Sequence, residues 1–324
     1  MSSASAPDRP AAPVFVGGAP RSGTHVVAHL LGAHPRYHVI PYEITLHTHL
    51  RRGIPAYVRG KIERDDLVAE LRGYWWRRQA VPDRAELERG LYKLVDRAQF
   101  DQVVERFASG PDDDRLSAAR SLAGDLFALI TRGSGRPGFV EHSPENLNTA
   151  PDVLALFPDA KFIHVVRDGR DRACSVVPLP FGAETHAEAL RRWALVLRRG
   201  EQVAQTLPAE KLLVIQLEDL VVADRARSYE RLREFLALPD DPAMRSFFES
   251  EVDPERAHIG RWRTEPAESE RAELDSAYRA TIAELRADAI SCAPPDRSLD
   301  LAYGVVPSRL SRFDPWAGGD ADDV

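Results

Sequence analysis

Cysteine is nearly absent from this chain: Cys174 and Cys292 are the only two. Two thiols so far apart build neither a disulfide framework nor a thiolate zinc site, and they suit a reducing compartment. Lysine is almost as scarce. Of 43 basic residues only Lys61, Lys93, Lys161 and Lys211 are lysine, the rest arginine. Any site that wants an ammonium therefore has four candidates. Positive charge is not in excess either, since 50 acidic residues leave a net charge of -7. That balance argues against whole-protein attraction to nucleic acid or to a membrane surface. No apolar run approaches a membrane span. Residues 1–13 are rich in Ser, Ala and Pro and lack a basic start followed by an apolar stretch. They read as a disordered lead rather than a signal peptide, and the expected location is the cytoplasm.

What is present is ordinary globular composition, 44% hydrophobic and 29% charged over 324 residues. Short apolar runs at 14–17, 37–40, 138–141, 161–166 and 211–216 read as buried strands. Helical spacing fills 24–33, 150–157, 171–177, 186–205, 225–238 and 267–289. Such alternation predicts an α/β chain with a parallel sheet. Between Ile44 and Arg132 strand signals vanish and the sequence is helical and Arg-rich. Residues 293–324 carry several Pro and Gly, end Asp-rich and read as a tail.

The sharpest motif joins the first strand to the first helix: Gly17-Gly18-Ala19-Pro20-Arg21-Ser22-Gly23-Thr24-His25. Gly18 and Gly23 have the Gly-x4-Gly spacing of a phosphate loop, in which glycines admit the anion and helix-start amides point at it. A nucleotide kinase would continue with Lys and Ser/Thr, for the β/γ-phosphates and magnesium. Thr24 and His25 stand there instead, and the cation comes from Arg21 inside the loop.

Ala19–Thr24 resembles the 5′-phosphosulfate loop of sulfotransferases that use 3′-phosphoadenosine 5′-phosphosulfate (PAPS). A second stretch is similar to that family's 3′-phosphate motif: a strand, Lys161–Val166, then Arg167, with Ser175 eight positions on. An arginine at a strand end can fork onto a phosphate, and a serine two turns into the helix adds a hydroxyl. Ala33-His34-Pro35, Ile215–Leu220 and Ile259–Arg263 look like further landmarks, so the likeness runs from about Val14 to Arg263, nearest the tyrosylprotein and bacterial small-molecule branches. It implies a P-loop-like three-layer α/β fold with a central, mostly parallel sheet of about five strands and a helical insert. The expected organisation is a lead at 1–13, one sulfotransferase domain at 14–292 with the insert 44–132 covering the acceptor site, and a tail at 293–324.

The same resemblance implies PAPS as donor, no metal, and Arg21, Ser22, Gly23, Thr24, His25, Arg167, Ser175, Arg261 and Trp262 around the donor. It places a base just past the second strand, where Pro41-Tyr42-Glu43 stands, so Glu43 is the expected base. The family's Glu-Lys-Thr-Pro pattern reads here Glu141-His142-Ser143-Pro144. His142 thus stands where a lysine belongs, and none of the four lysines compensates. Either protonated His142 or Arg21 serves as the cation at the transferring group, and His142 is also a candidate base. His25 and His29, four apart on one helix, have metal-capable spacing, but the chemistry needs no metal. Tyr42, His47, Tyr57, Trp75 and Trp76 are acceptor-pocket candidates, although tryptophans equally suit a core. The loop Pro178–Gly182 is a candidate lid. The expected acceptor is a small molecule with a hydroxyl or amine. The alternatives are a nucleotide kinase of the same fold and a non-catalytic nucleotide-binding module.

Overall fold

A computed structural model describes residues 11–77, 89–111, 113–180 and 182–299. The expected lead (apart from 11–13), most of the tail and Phe181 of the candidate lid lie outside these residues. The described residues divide into two compact units, one within 11–39, 136–151 and 159–299 and one within 40–135 and 152–158.

In the first unit five strands form one sheet: β1 Val14–Gly18, β2 Tyr37–Val39, β3 Gly138–Glu141, β4 Lys161–Val166 and β5 Leu212–Gln216. The order is β2-β3-β1-β4-β5 and every pairing is parallel. β1 is buried along its whole length, which is why its sequence is continuously apolar rather than alternating. Register sets Gly17 opposite His164 and Gly18 opposite Val165.

Helices cover both faces, giving three layers. Val14, Val16, Val140, Ile163, Val165 and Ile215 share a core with α1 (Thr24–Gly32), α9 (Arg225–Leu236) and α10 (Pro242–Glu251). Val166 and the partly buried Val214 pack with α7 (Gly169–Val176), α8 (His186–Ala204) and α11 (Glu268–Ala287). Alternation along β4 explains the split, since Ile163 and Val165 point one way and Val166 the other. The sequence reading left α10 unassigned, yet it has a clear start signal. Asp241 accepts from the Ala243 and Met244 amides at 2.9 and 3.2 Å, and Pro242 opens the helix.

The second unit is helical in its described part: α2 Ile54–Val58, α3 Arg64–Glu70, a π-helical turn Leu71–Trp75, α4 Arg97–Ser109 and α5 Arg115–Thr131. Asp96 and Asp114 cap α4 and α5 through the Gln99 and Ser117 amides. Arginine does internal structural work here. Buried Arg64 donates to the carbonyls of Phe107 and Gly110 at 2.8 and 2.6 Å, and Arg115 to those of Tyr57 and Ile62 at 3.2 and 3.1 Å. Among the described residues no helix is long and apolar enough to cross a membrane.

Candidate functional site

The strand-to-helix turn after β1 is shaped by its backbone. Gly18 has φ 153°, and a Cβ there would lie 2.4 Å from the Val165 carbonyl on the paired strand. Gly23, at φ 93°, caps α1 without a side-chain bond, so the first-turn amides of α1 have no side-chain cap. Between them Arg21 takes a left-handed φ of 72°, rare for a residue with a Cβ. Ser22 is fully buried, and its hydroxyl has no hydrogen-bond partner. An orphan hydroxyl beside uncapped helix-start amides is a fit for an anion.

The turn after β4 is built from side chains. Arg167 is only 5% exposed. Its Nη1 donates to the Arg21 carbonyl at 3.1 Å and its Nη2 to the Ala257 and His258 carbonyls at 2.9 and 2.8 Å, while Nε has no partner. Asp168 caps α7 through the Arg170 amide (2.7 Å) and pairs with the Arg170 guanidinium (2.6 Å). Arg170 also pairs with Asp275 and lies over the rings of Trp262 and Tyr278 at 4.1 and 4.4 Å. Arg172 reaches back to the Pro20 carbonyl at 3.2 Å.

The two turns meet. Arg21 Nε donates to Ser175 Oγ at 3.1 Å across 154 residues of chain. Together with the Arg167 and Arg172 bonds, this ties the β1 loop to α7 at the carboxyl ends of adjacent parallel strands, where open α/β sheets bind ligands.

Arg261 and Trp262 join the same region through Asp171, which sequence reasoning missed. Its Oδ2 accepts from the Gly260 amide at 2.7 Å and its Oδ1 from the Trp262 amide at 3.1 Å. Arg261 is paired with Glu265 at 2.9 Å. Burial and neighbouring Asp168 push the Asp171 carboxyl upward, against the pull of Arg167 and the two amides. Glu218, accepting from the Asp168 amide at 2.8 Å, is pushed up to about 8, mainly by burial and then by Asp168. The signal for this network was the density of charge in Arg167–Arg172. Positions 218 and 260 fall in the landmark stretches Ile215–Leu220 and Ile259–Arg263, but nothing local tied them, or Asp275, to this turn.

At the end of β3, buried Glu141 accepts from Ser143 (Oγ 2.6 Å, amide 3.0 Å) and from Asn146 Nδ2 (2.6 Å). Asn146 also donates to the Val16 carbonyl at 3.0 Å, which fixes this turn to β1. His142 is thereby set beside α1. Its ring centroid lies 5.3 Å from that of His25 and 6.5 Å from that of His29, and His25 and His29 are 4.1 Å apart. Burial, then the nearby His142, lowers the His29 pKa. Among the described residues no group of three or more His, Cys, Asp or Glu has a metal-holding arrangement.

The remaining candidates belong to the second unit. Tyr42 donates to the Gly90 carbonyl at 2.6 Å, and burial pushes its phenol up. Glu43 is half-buried. His47 is fully buried edge-on to Phe127 at 5.4 Å. Tyr57 is fully buried against Phe107. Trp75 is 1% exposed and donates to the Arg52 carbonyl at 3.0 Å. Trp76 packs on Phe100 at 4.7 Å under the Arg97 guanidinium.

The family model "Sulfotransferase family" matches residues 13–242, more than half the chain. Arg261 and Trp262 lie beyond the matched stretch. The chain is 23% identical over 234 residues to the protein-tyrosine sulfotransferase of Drosophila melanogaster, covering 71% of this chain and 38% of that protein. It is 21% identical over 233 residues to protein-tyrosine sulfotransferase A of Caenorhabditis elegans, covering 70% and 50%. It thus spans half the length or less of these curated relatives. The solved sulfotransferase domain of the Synechococcus PCC 7002 olefin synthase superposes with a TM-score of 0.50 at 20% identity, over 86% of this chain and 98% of that one. That likeness bears on the fold, which is the P-loop-like α/β arrangement expected from the sequence. The chain belongs to the sulfotransferase family.

Proposed function

We propose that the protein transfers a sulfuryl group from PAPS to a hydroxyl or amine of a small-molecule acceptor, without a metal. The observation that carries this reading is the 3.1 Å bond between Arg21 and Ser175, which joins the loop suited to the 5′-phosphosulfate to the turn suited to the 3′-phosphate. The buried, unpartnered Ser22 hydroxyl and the uncapped start of α1 fit an anion at the first turn. Thr24 and His25, in place of Lys and Ser/Thr, disfavour the kinase alternative.

Ser22, Gly23, Thr24 and His25 would hold the 5′ end of the donor, Arg167 and Ser175 its 3′-phosphate, and Arg261 and Trp262 its edge. When bound, PAPS supplies an activated sulfuryl group whose S–O bond to the 5′-phosphate is the one that breaks. Glu43 takes the acceptor's proton as the new bond forms. Either His142, in place of the expected lysine, or Arg21 alone offsets charge that develops on the leaving phosphate oxygen, and His142 is the second candidate base beside Glu43. The insert 44–132 would supply the acceptor side, with Tyr42, His47, Trp75 and Trp76 as its candidate lining.

Calorimetry with adenosine 3′,5′-bisphosphate and with ATP, each with and without magnesium, tests the donor site. Tight magnesium-free binding of the bisphosphate supports the reading, and binding of ATP alone sinks it. Labelled-sulfate transfer to phenols, sugars, amines and a tyrosine peptide then tests turnover. Transfer to the peptide alone would move the acceptor to protein tyrosine, and transfer to nothing would favour a silent binding module.

A further inference from the structure

The segment 253–263 crosses the end of β4 as a strap, held from two sides. Arg167 donates to the Ala257 and His258 carbonyls, and Asp171 accepts the Gly260 and Trp262 amides. Within it His258 adopts a left-handed φ of 50°, a costly backbone for a residue with a Cβ. Its amide is nevertheless fixed on the Glu255 carbonyl at 3.0 Å, and the next amide on that of Pro254 at 2.9 Å. The result is a half-buried histidine whose own backbone carbonyl accepts from the Arg167 guanidinium at 2.8 Å.

The charges that act on this imidazole come from three elements. Arg21 belongs to the loop after β1, Arg167 to the end of β4, and Arg261 and Glu265 to the strap's own last turn and the residues just after it. Asp171 of α7 lies behind, bonded to the amides two and four residues on. Glu265 is the single acid among the named neighbours that favours the charged ring, and Arg261 already occupies it at 2.9 Å. Burial, then Arg261 and Arg167, holds the imidazole below its ordinary pKa. A histidine kept neutral among guanidiniums is a poor structural cation but a responsive one. An arriving phosphate reverses the sign of the local field and favours protonation.

We infer that His258 is a further donor-site residue, which gains a proton when the 3′-phosphate of the nucleotide binds. This rests on the donor reading above and deepens it. His258 would make the site favour 3′-phosphorylated nucleotides over 5′-monophosphates, and more so as the pH falls. The sign follows from linkage. A group whose pKa is higher in the bound state strengthens binding as pH falls from the bound pKa to the free one, by at most about tenfold per pH unit, and adds nothing above the bound pKa.

The test is calorimetry of adenosine 3′,5′-bisphosphate and of adenosine 5′-monophosphate, at pH 6, 7 and 8, in buffers of different ionisation enthalpy. The proteins are the full-length wild type and His258→Asn. Asparagine accepts a left-handed backbone and does not titrate in this range, so the strap keeps its shape. A thermal melt checks the fold. Wild type should take up more protons than His258→Asn on binding the bisphosphate. Its affinity advantage over the variant should widen from pH 8 to pH 6. With the monophosphate the two proteins should match. The phosphate's own titration near pH 6 is common to both proteins and cancels in the comparison. Equal proton uptake by the two proteins, or the same difference with the monophosphate, overturns the role of His258 and leaves the donor reading standing. No magnesium-free binding of the bisphosphate by wild type overturns both.

Discussion

The two strand-to-helix turns of the sheet unit reach one place by different means. The turn after β1 is made by backbone: Gly18 and Gly23 at positive φ, Arg21 forced into the left-handed region, and a helix start with no side-chain cap. The turn after β4 is made by charge: Arg167, Asp168, Arg170 and Asp171 lock onto Glu218, Asp275 and the 257–262 strap. A backbone-built turn leaves its amides and Ser22 hydroxyl for a ligand but tolerates no added Cβ. A charge-built turn has most of its donors already engaged, and removing one partner leaves a buried charge unpaired. The first holds an anion by geometry, and the second positions the elements around it.

The largest effect should come from Gly18→Ala. The new methyl meets the Val165 carbonyl at 2.4 Å, so β1 and β4 must separate or the loop must move. Bisphosphate binding by calorimetry should be lost, with a lowered melting temperature, and wild-type behaviour would break the backbone half of the comparison. His142→Ala comes next. It should lower kcat by roughly 100-fold, the usual scale for a positioned acid or base. The pH dependence of wild-type kcat should also differ from that of the variant. An unchanged rate and profile would remove His142 from the chemistry.

Asp171→Asn should act more mildly. One of its two acceptors becomes a donor that faces an amide N–H, which costs about 1–3 kcal/mol. Loosening the strap should raise the donor KM about tenfold while kcat at saturating donor holds. Equal loss in kcat would mean that Asp171 serves the fold as a whole. Smallest is Glu218→Gln. Its carboxyl is raised from the ordinary 4.5 to about 8, so its ionisation opposes folding. The wild-type stability is fully present below the unfolded pKa and declines as pH rises from about 4.5 towards 8. Glu218→Gln should flatten that decline, read as a melting temperature nearer wild type at pH 6 and higher at pH 9.

How legible the molecule was depended on sequence separation. All five strands appeared as short apolar-rich runs within a residue or two of their observed limits, most plainly β1, which is buried along its whole length and so is apolar throughout. α10 was overlooked although Asp241-Pro242 marks its start, since its apolar spacing is broken by charge. The candidate loop, and the Arg167–Ser175 pair, were visible as motifs. The roles of Asp171, Glu218 and His258 were not, although Glu218 lies within the Ile215–Leu220 landmark. Their importance lies in partners 89, 50 and 91 positions away, which no local pattern encodes.

The amino-acid sequence alone determined the alternation of strand and helix, the glycine-spaced loop with its arginine, the eight-residue step from Arg167 to Ser175, and the histidine where a lysine was expected. These are short-range properties, set by periodicity and by which residues tolerate a given φ. Only the tertiary structure decided the strand order β2-β3-β1-β4-β5, the meeting of Arg21 with Ser175, the ring of three histidines beside the loop, and the strap latched by Arg167 and Asp171. Each of these joins residues remote in the chain, and they meet only because the whole sheet and both its helical layers are assembled.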